Sequence, residues 1–174
     1  ASLLPLALLG LGLSLGGPWL WAAFLYMACL TLILDQLIPL VPGQSKGSEF
    51  PGADLLLLAI GLGALALLPL ATWAIAGPSA LTPTQRLIAF FATGVWLGQV
   101  VHPAAHELIH RTQRSLFRLG AICYAALLFG QHTSAHRLVH HRAVATPEDP
   151  NTARLGESFY RFARRAWIGS FRQG

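Results

Sequence analysis

From Leu55 to Ala76 the chain runs without one charged side chain, and no other feature restricts its fold as severely. At about 1.5 Å per residue a helix of that length reaches about 33 Å, enough to cross a hydrocarbon core about 30 Å thick. Residues 3–15, 19–39 and 87–105 are similarly apolar, although the first is short as it stands. Only 11% of the 174 residues are charged and 54% are hydrophobic, whereas a soluble domain carries about 25% charged residues. The sequence therefore reads as an all-α integral membrane protein with about four transmembrane helices, at 3–15, 19–39, 55–76 and 87–105.

Punctuation between these stretches sets the expected path. Gly16-Gly17-Pro18 predicts a tight turn that folds the first two helices into a hairpin. Val41 to Asp54, rich in Gly and Pro, predicts a loop. Thr82 is a candidate N-cap, with Pro83 at the first helical position. Nothing resembles a linker, so residues 1–174 are taken as one membrane domain. The chain begins without Met and stops inside a basic segment, so it reads as a piece of a longer protein.

All the basic residues except Lys46 and Arg86 lie from Arg111 onward. Beside membrane helices such a bias reports a cytoplasmic side rather than a nucleic-acid surface. Counting spans back from that side leaves Lys46 inside and Arg86 outside, where it dissents. Trp19, Trp21 and Trp73 sit where interfacial anchors sit, and Asp35 is expected at the cytoplasmic interface. Cys29 and Cys123 read as small buried hydrophobes. The remaining apolar stretch, Leu116 to Gly130, would reach only about 22 Å, short of a span. It is expected to be a re-entrant or interfacial helix that returns the chain to the side it left.

All seven histidines fall between positions 102 and 141. Side chains four apart share one face of a helix, so His102, His106 and His110 form one ladder. His132, His136 and His140 form a second, with His141 adjacent. So many imidazoles beside a membrane interface would each need a polar partner, and a metal satisfies several at once. His106-Glu107-Leu108-Ile109-His110 is by itself the HExxH of zinc proteases, with Glu107 as general base. A catalytic zinc needs only three protein ligands, and this region offers more, which favours two metals. A bis-histidine haem or metal-handling protein is the non-enzymatic alternative.

HELIHR at His106–Arg111, the HxxxHH of His136–His141, and ATPEDPNTARLGESFYRF at Ala145–Phe162 together resemble the membrane alkane 1-monooxygenase family, whose wider relatives are membrane fatty-acid desaturases and hydroxylases. The resemblance implies a non-haem di-iron monooxygenase of a bacterial inner membrane, hydroxylating the terminal carbon of an alkane at a cytoplasmic site. Electrons would come from NAD(P)H through rubredoxin reductase and rubredoxin. It implies His106, His110, His136, His140 and His141 as iron ligands. His102, His132, Glu107, Glu148 and Asp149 are candidates for supporting positions around them. The resemblance also implies a further histidine box and a single histidine motif downstream, neither of which is present in residues 1–174, so the isolated chain is expected to be inactive.

Asp149 also reads as an N-cap, with Pro150 opening the next helix. Residues 154–172 predict an amphipathic helix with Leu155, Phe159, Phe162 and Ala166 on one face. Its arginines suit anionic lipid at a membrane surface, or an acidic electron-transfer partner.

Overall fold

The computed structural model describes residues 2–30, 32–33, 36 and 51–174. Among these the chain is helical, with no strand. It forms two compact units, Ala1–Glu107 and Leu108–Gly174.

In the first unit, α1 (Leu4–Leu15) turns through Gly16 and Gly17 into α2 (Pro18–Leu25), which continues as a π-helical turn, Tyr26–Leu30. Both glycines have positive φ, 68° and 67°, a region that costs other residues dearly. Pro18 takes the first helical position, where its missing N–H is harmless. The turn is thus the one expected. Leu9, Leu13, Leu20 and Ala23 are buried between the helices, and Gly12 admits Leu20 so closely that a Cβ would lie 2.7 Å from it.

α3 (Ala53–Ala76) and the helix Pro83–Ile109 are the two described helices long and apolar enough to cross a membrane. The second comprises α4 (Pro83–Trp96), a π-helical turn (Leu97–Val101) and α5 (His102–Ile109). The α3 stripe Leu57, Ile60, Ala64, Leu67, Ala71 and Ala74 is buried, yet its opposite face carries exposed Leu55, Leu58, Leu62 and Trp73. A water-facing helix would be polar there. Trp19 and Trp21 are exposed as well.

Several boundaries differ from expectation. α1 has 12 residues, or about 18 Å against a hydrocarbon core about 30 Å thick. Most of the second expected span after Leu30 falls outside the described residues, as do Asp35 and Lys46. Asp54 belongs to the first turn of α3, where a carboxylate faces the positive end of the helix dipole. The fourth stretch starts earlier and ends later than 87–105. At its start the Thr82 hydroxyl accepts from Gln85 N–H, and the Gln85 side chain accepts from Thr82 N–H. This reciprocal cap fixes the helix start.

Arg86 is tied down by backbone carbonyls. Its guanidinium donates to the carbonyls of Leu81, Ile75, Gly77 and Ser79 at 2.6–3.1 Å, joining the last carbonyls of α3 to the connection that follows it. Cys29 is exposed, contrary to expectation, because it lies on the outward face of the Tyr26–Leu30 turn.

The second unit begins with α6 (Arg114–Ala126), followed by a helical rod made of α7 (His132–Ser134), a π-helical turn (Ala135–His140) and α8 (His141–Ala143). α6 has 13 residues and reaches about 20 Å. It buries Leu116, Leu119, Cys123 and Tyr124 and exposes Arg114 and Arg118. Burial pushes the Cys123 thiol up to about 11, which leaves it a packing residue. Leu128 at φ 57° reverses the chain. The Arg137 guanidinium then lies 4.9 Å from the centroid of the Phe117 ring, which draws the rod back along α6.

α9 (Phe159–Gln173) closes the unit. Pro150 does not open a helix, and fully exposed Leu155 precedes α9. The carbonyls of Pro150 and Thr152 accept from Arg165 instead of from a helix ladder. The inward face of α9 runs through Phe162, Ala163, Ala166 and Ser170, whereas Phe159 is exposed.

Candidate metal centre

The rod 132–143 carries four histidines, and its winding decides how they meet. Rings four apart stack along the rod: His132 on His136 at 5.0 Å and His136 on His140 at 5.3 Å between centroids. A π-helical turn bonds residue i to i+5, bringing those two positions onto one face. His141, five residues after His136, consequently meets it edge-on, with centroids 4.5 Å apart. Adjacent residues on an α-helix point about 100° apart, which is why the sequence left His141 beside the ladder instead of on it.

Three Nε2 atoms converge. That of His136 lies 3.0 Å from His110 Nε2 and 2.9 Å from His141 Nε2. His110 precedes α6 and His136 follows it, so α6 leaves their imidazoles in contact. One neutral imidazole nitrogen carries either one proton or one lone pair, a poor match for two facing nitrogens. A single cation does match: nitrogens about 2.1 Å from one ion stand about 3 Å apart when they meet at a right angle. The donor set therefore fits a metal that accepts imidazole.

His140 presents its other nitrogen to protein. Its Nδ1 lies 2.7 Å from Asp149 Oδ2, and Asp149 is only 1% exposed. The same carboxylate accepts from Asn151 N–H at 2.9 Å and from the Thr152 hydroxyl at 3.3 Å. Burial raises the Asp149 carboxyl, but Asn151, His140 and Thr152 outweigh it and hold the group below the usual carboxylate range. A carboxylate on Nδ1 fixes the tautomer that leaves the Nε2 lone pair free for a metal.

The other sequence candidates have their own settings. His102 and His106 lie on α5 in the first unit, and His106 precedes His110 by four residues. Glu107 is exposed, with Oε1 3.7 Å from His106 Nδ1, beyond hydrogen-bond distance. It borders an apolar cleft of about 250 Å³ with Leu57, Ile60, Val100, Pro103 and Ala104. Glu148 is exposed and held low by the Thr146 hydroxyl, not by a histidine. His132 is sandwiched between Phe129, at 4.9 Å, and His136.

Sequence reasoning missed the residues that hold the Asp149 loop. Arg165 donates from Nε to Glu157 Oε1 at 3.0 Å and from Nη2 to Oε2 at 2.7 Å. Arg165 and Glu157 are eight apart on a loop and a helix, a spacing with no local rule. Arg165 holds the Glu157 carboxyl down at about 2 against the opposing effect of burial, helped by Arg154 N–H. Because this value is depressed from about 4.5, its stabilising contribution is complete above that pH and is lost as pH falls toward 2. Amide exchange in α9 is expected to accelerate over that window, and Glu157→Gln to remove this component. An unchanged pH profile in the variant would contradict the assignment.

The fatty acid desaturase family profile matches residues 81–174. Alkane 1-monooxygenase 2 of Pseudomonas aeruginosa is 28% identical over 168 residues, covering 92% of this chain and 45% of that protein. The alkane 1-monooxygenase of Pseudomonas putida is 40% identical over 68 residues, 39% of this chain and 17% of the relative. The xylene/toluene monooxygenase hydroxylase component of Pseudomonas putida is 30% identical over 169 residues, 92% of this chain and 43% of the relative. The chain thus spans less than half the length of these curated relatives.

Proposed function

The chain belongs to the fatty acid desaturase family, and from that premise we propose that it is the histidine-bearing core of a membrane di-iron monooxygenase that hydroxylates the terminal carbon of alkanes. The convergence of His110, His136 and His141 through their Nε2 atoms carries the reading. His106, one helical turn before His110 in sequence, and His140, whose Nδ1 is engaged by Asp149, complete the proposed ligand set. Two non-haem irons bound there supply the activation of dioxygen.

The protein's own groups hold and orient. Asp149 keeps His140 in one tautomer, and the stack of His132 on His136 restrains the central imidazole. The apolar cleft beside Glu107 suits a hydrocarbon chain. One oxygen atom enters the substrate and the other leaves as water, so two electrons and two protons must arrive from outside. Rubredoxin and its reductase are the proposed donors, following the alkane monooxygenase resemblance.

The proposed setting is a bacterial inner membrane, with the histidine site on the cytoplasmic side. Four spans and a re-entrant α6 remain part of this reading. The length of α6 and the meeting of His110 with His136 across it support its return to one side.

Glu107→Gln in the complete membrane protein tests the reading. As a supporting residue, Glu107 can be lost with iron retained and oxygen-dependent conversion of an alkane to its 1-alkanol still measurable. A zinc protease would lose its general base and fall by about a hundredfold or more. Oxygen-independent peptide cleavage that disappears in Glu107→Gln would overturn the monooxygenase reading.

A further inference from the structure

We propose that Arg165 is a positioning residue for this centre, clamping the loop 150–157 onto α9 so that Asp149 stays seated against His140. This rests on the metal reading of the histidines.

The clamp uses the full shape of a guanidinium. Two parallel hydrogen bonds meet the two oxygens of Glu157, while Nη1 donates to Pro150 O at 2.8 Å and Nη2 also donates to Thr152 O at 2.9 Å. The carbonyls so held flank Asn151, whose N–H donates to Asp149 Oδ1, and Thr152 also places its hydroxyl on Oδ2. One turn beyond Arg165, Gly169 lets Pro150 approach so closely that a Cβ would lie 2.6 Å from it. Asn151 Nδ2 donates to Ser170 Oγ at 3.2 Å. Successive positions on α9 therefore grip the loop from Pro150 onward, and the gripped end is the residue next to Asp149.

A lysine could carry the charge but not this fork. The neighbouring Arg164 is exposed and takes no part in the clamp. The hydrogen bonds of Arg165 run to Glu157 and to the carbonyls of Pro150 and Thr152, so the influence proposed for it on the centre passes through Asp149.

Cobalt(II) binding to the complete protein in detergent, read from its visible absorption, tests the proposal. A double-mutant cycle combines Arg165→Met with Asp149→Asn, and circular dichroism monitors helix content in each variant. Arg165→Met is expected to weaken cobalt binding by about tenfold or more, and to add little in the Asp149→Asn background. Arg164→Met should leave binding unchanged. Arg165→Lys repeats the cycle with charge kept, covering the case in which Arg165→Met does not fold. Equal losses in both Asp149 backgrounds, or no loss at all, would overturn the clamp while leaving the metal site intact. Wild-type protein without cobalt binding that depends on His136 would overturn the metal reading and the clamp with it.

Discussion

Replacing His136 by alanine is expected to abolish metal binding and, in the complete enzyme, alkane hydroxylation. His136 Nε2 is the meeting point of the cluster, close to both His110 and His141. Truncation removes a ligand, and it also removes the ring against which His132 and His140 stack. A metal site deprived of a ligand loses more than the tenfold to hundredfold typical of an outer-shell change, so a loss well beyond about a hundredfold is expected. His141→Ala should act in the same direction. The surrounding helix is expected to survive, because His136 is only half-buried and alanine is the best helix former. Metal retained at wild-type stoichiometry in His136→Ala would remove this residue from the centre.

Asp149→Ala is expected to have the next largest effect, a loss of about tenfold to a hundredfold in metal affinity. The carboxylate is buried and serves three donors at once, from Asn151, Thr152 and His140. Alanine leaves the Asn151 N–H without its acceptor and frees His140 to rotate and change tautomer. Buried groups left unpaired are costly, so faster amide exchange around Asn151 should accompany the loss. Glu148→Ala is the contrasting variant. Its side chain is exposed and contacts Thr146, and its removal should leave metal affinity near the wild-type value. Equal effects at the two positions would contradict the assignment of Asp149.

The readable parts of the fold were those governed by local chemistry. Gly16-Gly17-Pro18 requires positive φ followed by a helix start, and Thr82-Pro83 supplies a cap and a compatible first residue. Each works through its immediate neighbours. The apolar run of α3 and the length of α6 were likewise legible, because helix rise converts residue count directly into distance. The grouping of the histidines was visible as well.

What escaped the sequence depends on contacts between separated segments. No residue-type signature marks 135–140 for π winding, yet that winding sets His141 against His136. The stretch after Asp149 looked ready to become helix, with an N-cap followed by Pro150. Its carbonyls instead turn to Arg165, so Leu155 lies outside the helix that was to bury it. Cys29 looked buried because an apolar neighbourhood does not distinguish an outward helix face from an inward one in a membrane chain.

Iron content of the complete protein, purified from membranes and compared with its His136→Ala variant, tests the central claim most directly. About two irons per wild-type molecule, lost in the variant together with oxygen-dependent alkane hydroxylation, is the predicted result. One zinc per molecule, with full activity persisting after iron chelation, would contradict it.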